Sequence, residues 1–158
     1  MSAASARRHG SSLRALERAG LTTSVRRLAP TYRGAERPFK LAFSDPKYLQ
    51  VNAGDLRHLM ALSVLRRDLG AIPKDWAVHA LNRKSGNSPD AFWTRYGGKV
   101  PIEYDSGSYP VSKILEKASA FLAYDVQIWS STSRARCRTL QATLRTVTDR
   151  AEVIFTEL

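Results

Sequence analysis

Apolar residues in the second half of the chain follow two alternating rhythms. Val111, Ile114, Leu115, Ala118, Phe121 and Leu122 fall three and four apart, the spacing of a helix with one buried face. Cys137, Leu140, Leu144 and Val147 repeat that spacing and predict a second helix over 132–148. Short apolar runs at 99–104, 125–130 and 152–156 have the length of strands. Pro101 in the first run predicts an edge or irregular strand. The order β-α-β-α-β predicts parallel strands joined by crossovers.

The first half lacks this alternation. Leu56, Leu59, Met60, Val64 and Leu65 predict a helix over 54–69, with Asn52 as its cap and Asp55 at the positive end of its dipole. Gly70 is a natural stop. Pro73 can start a second helix over 74–84, turning Trp76, Ala77, Ala80 and Leu81 inward. "NSPDAFWTRYGG" predicts a third, capped by Ser88 and ended by Gly97 and Gly98, with Phe92, Trp93 and Tyr96 clustered on it. Pro30, Pro38 and Pro46, interleaved with Tyr32, Phe39, Phe43 and Tyr48, make 29–50 extended. The expected fold is therefore α/β (or α+β). A basic N-terminal arm or targeting segment with an extended linker covers 1–44. One globular domain covers 45–158, helical over 45–98 and βαβαβ over 99–158.

Charge sharpens this picture. The chain of 158 residues carries 25 Lys+Arg against 14 Asp+Glu, a formal +11. A field of that sign favours polyanions such as RNA, and arginine binds phosphate bidentately. Residues 1–34 hold seven arginines and one acid, Glu17. That composition fits an organelle presequence, a nucleic-acid-binding arm or an inert tail. Leu13, Leu16 and Leu21 could line a short helix beginning after Ser11 or Ser12. Arg7, Arg8, Arg26 and Arg27 are the arm's candidate phosphate ligands. Arg134, Arg138 and Arg145 share one stripe of the last predicted helix, with Arg136 beside them. Asp149 is the only acid from 132 to 150. A second basic cluster comprises Arg57, Arg66, Arg67, Lys74, Arg83 and Lys84.

Catalytic constellations are sparse. Cys137 is the single cysteine, and three histidines stand apart in sequence, so neither a disulfide framework nor a metal-ligand spacing is visible. No Gly-rich phosphate loop is present, no cofactor is expected, and no apolar run reaches membrane-span length. "SSTS" at 130–133 closes a predicted strand and opens a helix. Hydroxyls and N–H groups there can cradle a phosphate or simply cap the helix, so Ser130, Ser131 and Thr132 are candidate phosphate ligands.

"KILEKASAFLAYDVQIWSSTSRARCRTL" resembles the second signature segment of haloacid-dehalogenase-type phosphatases. It is most similar to the branch of the RNA-polymerase C-terminal-domain phosphatases and the related mitochondrial import-receptor subunit. The resemblance spans about residues 110–157 and implies that Ser130 or Ser131 matches the family's phosphate-binding hydroxyl. That family uses two aspartates two residues apart. Here the corresponding pair is Glu103 and Asp105, followed by Ser106 and Gly107, and Glu is one methylene too long for accurate nucleophile placement. The family's later lysine and metal-binding acids are not met. The resemblance thus implies a scaffold without the chemistry.

The sequence predicts a non-catalytic basic protein that binds RNA, as a structural component of a ribonucleoprotein assembly with protein neighbours. An organellar ribosome in the mitochondrial matrix is the expected setting, with a cytoplasmic location as the other. Two alternatives stand beside it: a degenerate phosphatase-like module acting through protein contacts, and a viral or phage structural or packaging protein.

Overall fold

The computed structural model describes residues 4–5, 13–31, 33–80 and 86–158. Its centre is a five-stranded mixed sheet in the order β4-β5-β6-β7-β8. The strands are β4 (Trp76–Val78), β5 (Ala91–Arg95), β6 (Gly98–Tyr104), β7 (Gln127–Ser131) and β8 (Ala151–Phe155). β6, β7 and β8 run parallel, linked by α3 (Val111–Ala120) and α4 (Arg134–Leu144). The α/β class and the β-α-β-α-β order are as the periodicity predicts. All five residues of β7 are buried, as befits a parallel strand covered on both faces.

The N-terminal half departs from expectation, because helices are not its main content. α1 (Leu13–Arg18) and α2 (Ala53–Asp68) are the α-helices described there. Pro73 opens only a 3-10 turn, Pro73–Asp75, and the chain then enters β4. "AFWTR" is β5 rather than a helix. Ala91 and Trp93 are buried on one face while Phe92 stays half-buried on the other, a two-residue period. The two glycines read as a helix stop instead belong to a hairpin. Arg95 pairs with Gly98 across Tyr96 (φ 51°) and Gly97 (φ 78°), a two-residue turn that requires positive φ at both centres. β6 is central despite Pro101. The β6–β7 pairing begins one residue later, at Ile102, so the missing N–H falls outside that ladder.

Within the predicted extended segment Arg37–Phe43 is strand and Pro46–Gln50 a 3-10 turn, and a further strand, Thr22–Leu28, precedes it. β2 (Thr22–Leu28) and β3 (Arg37–Phe43) pair antiparallel over seven residues, and β1 (Ala4–Ser5) joins the other side of β3. Leu28, Phe39, Leu41 and Phe43 bury themselves against Leu56 and Met60 of α2. Farther along, Ala61, Leu62 and Leu65 of α2 pack on Trp76, Trp93, Ile102, Tyr104 and Ile128 of the large sheet. Buried on two sides, α2 has eight consecutive or near-consecutive core residues from Leu56 to Leu65. Asn52 caps it as expected, accepting from the Asp55 N–H at 2.9 Å. Across the large sheet, α3 and α4 enclose Trp129 with Ile114, Phe121, Leu140 and Leu144.

Candidate nucleic-acid interface

α4 takes its form from Ser133, whose Oγ accepts from the Arg136 N–H at 3.3 Å and caps the first turn. Leu140 and Leu144 anchor one side in the core. Arg134, Arg138 and Arg145 are exposed on the other. At 1.5 Å per residue, the eleven steps from Arg134 to Arg145 span about 17 Å, and the angular spread of the three arginines is about 40°. α4 contains no acid to neutralise them. Arg134 is held in place, its guanidinium lying 4.1 Å from the centre of the Phe155 ring. Among the described residues, Arg138 and Arg145 make no ion pair.

Other predicted ligands are committed elsewhere. Arg136 turns inward to Asp105, with Nε 2.7 Å from Oδ2, and Nη2 donates to the Tyr109 carbonyl. Arg26 is half-buried and donates to the Leu49 carbonyl at 2.9 Å and the Val51 carbonyl at 3.4 Å, tying β2 to the segment before α2. Arg27 is exposed beside Glu36 at 3.9 Å. Arg7 and Arg8 lie outside the described residues. In the second cluster, Arg57 donates to the Ala29 and Thr31 carbonyls, Arg66 to the Ala71 carbonyl, and Arg67 pairs with Asp68. Arg83 and Lys84 lie outside the described residues, and Lys74 is exposed.

Within the fold lie enclosed charges that sequence spacing only partly signals. Asp90, Glu103, Asp105 and Lys117 are the fully buried charged groups among the described residues. Three acids and one cation are thus fully enclosed. Lys117 Nζ lies 2.9 Å from Glu103 Oε1 and donates to the Ser88 carbonyl at 2.9 Å. The rings of Tyr109 and Phe121 face the same ammonium at 5.7 and 5.9 Å. Burial, and next the charge of Asp90, push the Glu103 carboxyl up to about 8, against the opposing pull of Lys117 and the Tyr109 hydroxyl. Asp90 accepts from the Tyr104 N–H at 3.0 Å and faces His58 Nδ1 at 3.2 Å.

The hydroxyl-rich turn folds inward. Register pairs Tyr104 with Ser130, which brings the carboxyl ends of β6 and β7 together as neighbours. Ser130 and Ser131 are fully buried, and the Thr132 hydroxyl donates to the Pro30 carbonyl at 2.5 Å and meets the Tyr104 hydroxyl at 3.1 Å. Burial pushes the Tyr104 phenol up to about 12. Cys137 is half-buried against the Ser131 and Ile154 carbonyls, and burial pushes its thiol up. Among the described residues, no group of three or more His, Cys, Asp or Glu side chains could hold a metal. No described helix is long and apolar enough to cross a membrane. No family model, curated protein or solved structure matches the chain.

Proposed function

We propose that this protein binds the phosphate backbone of RNA through the outer face of α4, as a non-catalytic component of a ribonucleoprotein assembly. The observation that supports it is the acid-free stripe of Arg134, Arg138 and Arg145, exposed on the outer face of α4. Phosphate contacts release counterions, so affinity falls with salt in proportion to their number. For single strands the slope is roughly 0.7 per contact, so three arginines contribute about two units. The Arg134/Arg138/Arg145→Ala variant, titrated with unstructured RNA across a salt series, is expected to lose that much slope. Equal slopes in variant and wild type would overturn the reading. Its unfolding midpoint is the control for fold.

A second reading rests on the adjacency of the Glu103–Asp105 pair and the Ser130–Ser131 hydroxyls at two parallel strand ends. It makes the chain a phosphatase-like scaffold that acts through protein contacts. Both carboxylates are engaged by cations, Lys117 and Arg136, which suits a module without phosphoryl transfer. Binding to a protein partner that is indifferent to salt would favour it.

A further inference from the structure

At the opposite end of the sheet from the hydroxyl turn, a cavity of about 510 Å³ opens beside the amino ends of β6, β7 and β8. That volume falls in the range of small-ligand pockets. Tyr96 and Tyr124 line it, with apolar residues of β6 and β7 between them.

Tyr96 is held in an unusual way. It sits at φ 51°, a conformation that costs a side chain bearing a Cβ about 1 kcal/mol and that glycine or asparagine would accept more readily. Its ring nevertheless stands 94% exposed, so no burial compensates. The Arg95 guanidinium lies 4.9 Å from this ring and 4.8 Å from that of Trp93, steadying a platform in solvent. Lys99, also on the rim, lies 5.6 Å from the Phe92 ring, which in turn contacts Tyr124 at 5.5 Å. Two carboxylates, Asp125 and Glu152, complete the lining, and among the described residues neither has a cation partner. Aromatic platform, rim cations and free acceptors together match a base, its phosphate and its amino hydrogens.

We propose that this cavity takes one unpaired nucleobase of single-stranded RNA, with guanine preferred. The base stacks on Tyr96, its phosphate meets Lys99 and Arg95, and its N1–H and amino group donate to Asp125 and Glu152. Uracil offers one such donor and carbonyl oxygens that the carboxylates repel. The site rests on the RNA reading but uses different residues, at the other end of the sheet.

The test is anisotropy of labelled guanine-containing and all-uracil hexamers, with competition by free GMP against UMP. Tyr96→Asn keeps the turn conformation and removes the ring. It is expected to weaken the guanine hexamer about tenfold, the value of one stacked base. Asp125→Asn with Glu152→Gln is expected to erase the guanine preference. Equal binding of both hexamers by the wild type, or unchanged binding by Tyr96→Asn, would overturn the proposal. The two readings can fail separately. A salt slope that depends on the α4 arginines but not on Tyr96 leaves only the first standing. GMP competition that depends on Tyr96, with no change in slope when the arginines are removed, leaves only the second.

Discussion

Replacing Glu103 with Gln probes the enclosed charges directly. The Glu103 carboxyl titrates near 8 in the folded protein, from an ordinary value of 4.5, chiefly because it is sealed from water. Between those values the folded state holds a proton that the unfolded chain has released. Fewer protons on the unfolded chain mean that stability falls as pH rises through this window and levels off above about 8. Each unit of difference is worth about 1.4 kcal/mol, so the full loss is on the order of 5 kcal/mol. The glutamine side chain cannot titrate, yet its amide oxygen can still accept from Tyr109 and Lys117 at the Oε1 position. The stability difference between Glu103→Gln and wild type should therefore shift in the variant's favour from pH 5 to pH 8. Urea unfolding followed by tryptophan fluorescence at several pH values supplies the comparison, since Trp129 is buried in the adjoining core. Parallel stability curves for the two proteins would refute the reasoning and mean that Glu103 stays ionised against Lys117 throughout.

Two further outcomes follow from the geometry. Arg136→Ala strands the buried Asp105 carboxylate and should cost about 3 kcal/mol, whereas Arg138→Ala on the same helix should stay within about 0.5 kcal/mol; chemical denaturation of both variants checks the contrast. Gly97→Ala introduces a Cβ at φ 78° in the β5–β6 turn and should lower stability by about 1 kcal/mol, read from the shift in denaturation midpoint.

Much of the second half was legible because its signals are long and periodic. α3 and α4 each repeat an apolar face over two or more turns, and the strands between them are bounded by turn residues. The N-terminal half misleads for an equally physical reason. Ser-Pro-Asp followed later by Gly-Gly is punctuation for a helix and also for a strand leading into a hairpin. β4 and β5 are too short for their two-residue period to outweigh that punctuation, and only pairing of Trp76 with Trp93 decides the matter. The site divides in the same way. Spacing alone aligns Arg134, Arg138 and Arg145, but the ion pair that draws Arg136 inward joins residues 31 apart. The Tyr96 platform was hidden with the hairpin that carries it.

The position of α2 makes the two sheets depend on each other. A helix with one apolar stripe can lose its neighbour on the polar side at little cost. α2 has no such side, since Leu56 and Met60 serve the small sheet while Leu62 and Leu65 serve the large one. Peeling away the β2–β3 hairpin would hydrate the very helix that roofs β6. β2 and β3 are thus less an appendage than half of a shared wall, and their order and that of α2 stand or fall together.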